Sequence, residues 1–173
     1  QQRSSAASDV YKRQSKTFCP IPWIFQAVRN NGDIRVCCQA NVTKNQGVVR
    51  HPDGRSYNAG RDSMEEARNG ELMKIVRKNM IEGRWSTECG RCESEEAAGL
   101  DSRRIYELRN WPRMTYDAAV KATEEDGTID PKKVPVVYFD LRFGNLCNLA
   151  CRMCGPTDSL SLIHISEPTR RTP

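Results

Sequence analysis

The chain has 173 residues, eight cysteines and a formal net charge of +5 at pH 7. No apolar run approaches the roughly 18 residues of a membrane-spanning helix, so we expect a soluble protein. The net charge is small and the sequence contains no block of like-charged residues. Neither feature gives a reason to expect a nucleic acid or an anionic membrane as partner.

The two ends of the sequence are related at the level of DNA. Asp9 to Gln14 can be encoded by GAT GTG TAT AAG AGA CAG, and the reverse complement of that strand encodes the text of Leu160 to Ile165. These ends resemble translated transposon-end adapters of sequencing libraries, so we expect residues 1–14 and 160–173 to be adapter-derived. The remaining residues 15–159 carry a net charge of +2 and have the length of one ordinary domain.

The segment 15–112 is predicted to be a small α+β domain that begins with two strands. The strands cover about Trp23 to Val28 and Ile34 to Cys38, and they flank a turn in which Gly32 tolerates a positive φ. Residues 39–62 are polar and typical of a loop.

Two helices are predicted to complete this first domain. Ser63 and Glu66 form a capping-box pattern, and apolar residues at helical spacing then continue to Gly83, which indicates one helix. A second helix follows the sequence CGRC and carries Leu100 and Leu108.

A second unit is predicted to follow a linker. Residues 113–134 are polar and typical of a linker between domains. The run VPVVYFDLRF that follows is apolar and β-branched, and Pro135 and Gly144 bound it, which favours a buried strand of a parallel sheet. The segment 135–159 would then begin a second domain.

The cysteines fall into tight clusters, all between residues 15 and 159. They are Cys19, Cys37, Cys38, Cys89, Cys92, Cys147, Cys151 and Cys154. Spacings of the C-x2-C and C-x3-C-x2-C type favour metal or redox chemistry over the disulfides of a small secreted domain. Since His51 is the one histidine in this part of the chain, a mixed Cys/His zinc finger lacks its usual ligands.

The last three cysteines directly follow the predicted strand. Cys147, Cys151 and Cys154 would leave one iron of a four-iron cluster without a protein ligand. Their context, DLRFGNLCNLACRMCG, resembles the signature of radical S-adenosylmethionine (radical SAM) enzymes. The resemblance implies that this 4Fe-4S cluster binds S-adenosylmethionine and cleaves it reductively to a 5′-deoxyadenosyl radical, which abstracts hydrogen from a substrate. The alternative is a zinc site completed by Cys92 or another thiol.

The earlier cysteines resemble the SPASM and twitch modules that bind auxiliary iron-sulfur clusters, although such modules more often follow the barrel. The resemblance implies an auxiliary 4Fe-4S cluster. Its ligands would be Cys19, one of Cys37 and Cys38, Cys89 and Cys92. Neighbouring side chains of a strand point to opposite faces, so Cys37 and Cys38 are not expected to reach the same site. The family pattern places the ligand five residues after the glycine, which from Gly32 favours Cys37, and Cys38 would then pack as a small apolar residue. A structural four-cysteine zinc site stays open, because thiolate spacing alone does not separate zinc from iron.

The combined interpretation is a fragment of a radical SAM enzyme. Its fold would be a small α+β cysteine-rich cluster-binding domain, followed by the first strand and cluster loop of a truncated (β/α) partial barrel. The fragment is expected to be inactive alone, and the resemblance implies a small redox protein as electron donor and a cytoplasmic location. The substrate, whether peptide, protein or small molecule, is not decided. The contrasting interpretation is a non-catalytic zinc-binding interaction module.

Overall fold

The structure, a computed structural model, describes residues 16–40, 47–142 and 144. These residues combine short helices with a three-stranded sheet. The elements are α1 Ile21–Ile24, β1 Phe25–Val28, β2 Ile34–Arg35, α2 Met64–Ala67, α3 Glu71–Ile81, α4 Gly90–Ala97, α5 Arg103–Asn110, α6 Tyr116–Lys121 and β3 Tyr138–Leu141. A short 3₁₀ turn, Thr87–Cys89, precedes α4. No helix within the described ranges is long and apolar enough to cross a membrane.

The central strand of the sheet is β1, and its four residues are all buried. It pairs with β2 in antiparallel orientation, and with β3 in parallel orientation so that Phe25 lies opposite Tyr138. The buried amide of Gln26 donates a hydrogen bond of 2.7 Å to the carbonyl of Met64. A polar side chain is therefore accommodated in the central strand because its amide has a partner.

The predicted turn and helix start are confirmed, whereas the single long helix is not. Gly32 has φ 86° in the turn between β1 and β2. Ser63 caps α2 by accepting a hydrogen bond of 3.3 Å from the Glu66 N–H. The helix then ends, and α3 begins anew after Gly70, where a Cβ atom would collide with Val49. The extended backbone of Gly70, with ψ 152°, therefore interrupts the helix that the apolar periodicity predicts, and the close approach of Val49 leaves room only for glycine there.

The segment that the sequence predicts to be a linker is folded into the same unit. It contains α6, and Ala119, Ile129 and Val134 are at most 4 % exposed and belong to the hydrophobic core. The Asn69 side chain binds both the carbonyl and the N–H of Ile129, at 2.8 and 3.0 Å. Residues 113–134 therefore connect no separate domains within the described chain, and their polar side chains cover a few well-buried apolar ones.

The predicted parallel strand is present as β3, but it is not buried on both faces. Phe139 and Leu141 are 50 % and 42 % exposed, whereas Tyr138 packs on Phe25 with ring centroids 4.5 Å apart. One face of β3 therefore contacts the described core and the other face does not. The cluster loop predicted after this strand lies outside the described residues.

Candidate metal centre

Four cysteines from three separate parts of the sequence line one pocket, which we call the cysteine pocket. They are Cys19, Cys37, Cys89 and Cys92. Its empty volume, including space open to solvent, is about 480 Å³. None of the four thiols is in a disulfide. The fold therefore brings together the cysteines that the family resemblance groups as auxiliary-cluster ligands, and their role as ligands stays a prediction.

Three local structures bring the four thiols to the pocket. Cys19 lies just before α1, next to Phe18, whose ring packs on Trp23 at 5.4 Å. Cys37 follows β2, and its sulfur accepts a hydrogen bond of 3.4 Å from the Gln39 N–H. Cys89 ends the 3₁₀ turn and its N–H binds the Ser86 carbonyl at 2.8 Å, so that α4 can start at once with Cys92 in its first turn.

The walls of the cysteine pocket are largely apolar. Val76 and Met80 contribute from α3, and Ile21 and Pro22 contribute from α1. Val36 and Trp85 add further apolar surface, and polar or charged side chains also line the pocket, namely Gln39, Glu88, Arg91, Arg103 and Arg104. Apolar surroundings limit solvent access and lower the local dielectric, both of which influence the redox potential and the reactivity of a bound metal group.

The pKa values of three pocket thiols, those of Cys19, Cys37 and Cys89, are raised, which favours their protonated form. Burial, together with the neighbouring thiols, raises the pKa of Cys19 above its usual range and that of Cys89 to about 12. A hydrogen bond with Cys38, together with burial, raises the pKa of Cys37. Cysteines bind metals as thiolates, so a cation entering this pocket would displace protons.

The described residues contain no set of three or more His, Cys, Asp or Glu side chains arranged to hold a single metal ion. The candidate centre therefore depends on the shared pocket and on the chemistry of its four thiols, not on a preformed coordination geometry.

Arg104 of α5 also lines the pocket, and sequence reasoning missed it. Its Nε and Nη2 donate to the two carboxylate oxygens of Glu96, with an Nε–Oε1 distance of 2.8 Å. Its Nη1 donates to the carbonyl of Phe18 at 3.0 Å. Glu96 lies on α4 and Arg104 on α5, with a turn between them. The spacing of three or four residues that indicates an ion pair within one helix therefore does not reveal this pair in the sequence.

Cys38 does not line the pocket, and it is partly buried and packed against the hydrophobic core, as predicted, but its thiol also has a charged neighbour. The hydrogen bond with Cys37 lowers its pKa to about 6, and Arg103 contributes in the same direction. Arg103 pairs with the buried Glu107 at 2.5 Å, and Trp111 donates to the other oxygen of that carboxylate at 2.8 Å. Cys38 therefore lies near a polar group between α5 and β3.

Cys147, Cys151 and Cys154 lie outside the described residues, so the structure gives no geometry for the predicted SAM-binding cluster. Comparison with family models, curated proteins and solved structures gave no match to this chain.

Proposed function

We propose that the chain is part of a radical SAM enzyme with two iron-sulfur clusters. Cys147, Cys151 and Cys154 would bind the cluster with the open iron. The cysteine pocket would bind an auxiliary 4Fe-4S cluster through its four thiols. The first assignment depends on the sequence motif, and the second is supported by the pocket.

The observation that carries the auxiliary site is that four cysteines line one largely apolar pocket. Four thiolates are the usual protein ligands of a closed four-iron cluster. The same donor set also suits zinc, so the identity of the metal has to be measured.

When bound and reduced, the cluster with the open iron would supply the electron that cleaves S-adenosylmethionine. The residues of this chain would hold the metal groups and control their surroundings. In the auxiliary site, Val76 and Met80 would exclude water, and Arg104 would lie beside the thiolates as a fixed positive charge. Reduction would come from a small redox protein in the cytoplasm, and the substrate would be a peptide, a protein or a small molecule.

The first experiment is metal and sulfide analysis of the chain, purified and reconstituted without oxygen. With both clusters present we expect about eight irons and eight sulfides per chain. Cys89→Ala and Cys151→Ala should each remove about four irons, because each variant loses a ligand of a different cluster. A double variant should retain almost none.

The second experiment separates the two clusters by the response to S-adenosylmethionine. Adding it to the dithionite-reduced protein should change the electron paramagnetic resonance spectrum of Cys89→Ala, which keeps the open iron. The spectrum of Cys151→Ala should not change. Stoichiometric zinc together with about four irons per chain would contradict the auxiliary cluster and leave the radical SAM assignment standing. A Cys89→Ala spectrum that does not respond to S-adenosylmethionine would contradict the radical SAM assignment.

A further inference from the structure

Arg104 connects the two halves of the cysteine pocket. One side of its guanidinium group contacts the carbonyl of Phe18, the residue before Cys19. The other side forms the two-pronged contact with Glu96 on α4, the helix that carries Cys92. The Arg104 and Glu96 side chains are 9 % and 20 % exposed, so solvent screens this pair only in part.

Glu96 has a second role at the start of α5. Its Oε1 accepts a hydrogen bond of 2.5 Å from the hydroxyl of Ser102, the residue that caps α5. The pair therefore fixes α4 and α5 relative to each other while Arg104 reaches the chain before Cys19. Trp85, on the pocket wall, lies against the same guanidinium group, with Cζ 5.7 Å from the ring centroid.

We propose that Arg104 is a positioning residue of the auxiliary site, and that the Arg104–Glu96 pair sets the reduction potential of the cluster held there. The claim about the reduction potential rests on the proposed function, whereas the claim about positioning does not. Holding Cys19 at a fixed distance from Cys92 is a geometric role that would matter for any metal bound by the four thiols.

The effect on the potential follows from charge. A cluster gains one negative charge on reduction, and a nearby positive charge stabilises the reduced form. Glu96 offsets the charge of Arg104 at present. Removing the carboxylate should therefore move the midpoint potential to more positive values, and removing the guanidinium should move it to more negative values.

The effect on metal retention follows from geometry. The planar guanidinium group binds a carboxylate with two nitrogens and still reaches the Phe18 carbonyl with a third. A lysine keeps the charge but has a single ammonium group, which cannot make this set of contacts in the same way. Arg104→Lys should therefore keep the potential close to that of the wild type and lose metal faster to a chelator.

The test uses the full chain, in which Cys151→Ala leaves the auxiliary cluster as the only one to titrate. In this background, Glu96→Gln should shift the midpoint potential upwards and Arg104→Gln should shift it downwards. Asp101→Asn is the matched control. Asp101 pairs with Arg109 of α5, the helix that also carries Arg104, but the Asp101 and Arg109 side chains are 61 % and 39 % exposed. This exposed pair should be screened by solvent and leave the potential unchanged.

Metal release to a chelator is measured in parallel on Arg104→Lys and on the control Arg109→Lys, with circular dichroism to show that both are folded. Faster release from Arg104→Lys alone supports the positioning role, and equal release overturns it. A Glu96→Gln potential equal to that of Asp101→Asn overturns the role in setting the potential. Stoichiometric zinc without sulfide would overturn the proposed cluster and the claim on its potential, while the release assay would still decide the positioning role.

Discussion

Arg77 offers a direct test of how the fold supports the cysteine pocket. The side chain of Arg77, on α3, is fully buried, and the hydrogen bonds described for it go to backbone carbonyls and to the Asn69 side chain. It donates to the carbonyls of Gly127, Pro22 and Arg68, at 2.7, 3.2 and 2.8 Å. These contacts join α3 to the segment after α6 and to α1.

Arg77→Met keeps much of the side-chain volume and removes all of these donors. Leaving a buried acceptor without a donor costs about 1 to 3 kcal/mol, so three carbonyls predict a loss of roughly 3 kcal/mol or more in the free energy of unfolding. This is a large part of the roughly 5 to 15 kcal/mol that stabilises an ordinary domain. Val76 and Met80 should shift with the helix, so metal retention should fall as well.

The assay is urea denaturation, monitored by far-ultraviolet circular dichroism. The dependence of the free energy of unfolding on urea concentration should be the same in all variants, so that a change in midpoint reports a change in stability. Arg84→Met is the control, since its side chain is 63 % exposed and pairs with Glu82 at the surface. It should change the free energy of unfolding by less than about 0.5 kcal/mol. If Arg77→Met were as mild as this control, the three carbonyls would not depend on Arg77 and the reasoning would be refuted.

Three further predictions test the site and the fold. Cys37→Ala should lower the iron content more than Cys38→Ala, because only Cys37 lines the pocket; equal losses would show that both sulfurs serve the site. Gly127→Ala should destabilise the protein by roughly 2 kcal/mol more than Gly54→Ala in thermal unfolding, since both have positive φ but only Gly127 abuts the backbone of α3. A chain ending at residue 134 should unfold at a lower temperature than the full chain, because β1 loses its partner β3; an unchanged midpoint would mean that this pairing contributes no stability.

Local sequence signals predicted the elements whose causes are themselves local. The turn at Gly32 and the cap at Ser63 each depend on residues within a short window, and both are confirmed. The periodicity of the apolar residues gave no sign of the interruption at Gly70, and the contact that requires glycine there is with Val49, which approaches only in the tertiary fold. Apolar periodicity carries no information about such a contact.

The predicted linker was wrong for a related reason. Residues 113–134 contain many charged and polar side chains, and such a composition is typical of solvated chain. Ala119 and Ile129 are nevertheless almost fully buried, and Arg77 and Asn69 hold the backbone of this segment from α3 and its preceding turn. Polar side chains that bind backbone carbonyls can attach a polar segment to a core, and this arrangement has no simple sequence pattern.

The candidate site was predictable in its cysteines and not in its surroundings. Clustered thiols are visible in the sequence because metal chemistry requires that residue type. Arg104 and Glu96 are two among many charged residues, and nothing in their spacing separates them from solvated ones. Their contact requires α4 and α5 to meet at a particular angle, which only the folded chain defines.

The parallel pair of β1 and β3 sets an order of events during synthesis of the protein. Cys19, Cys37, Cys89 and Cys92 all precede β3, so the ribosome releases every thiol of the pocket before the strand that completes the sheet. At about 5 to 20 residues per second, the interval between Cys92 and Tyr138 lasts roughly 2 to 10 s. During that time β1 lacks its parallel partner, although all four cysteines of the pocket have already been synthesised.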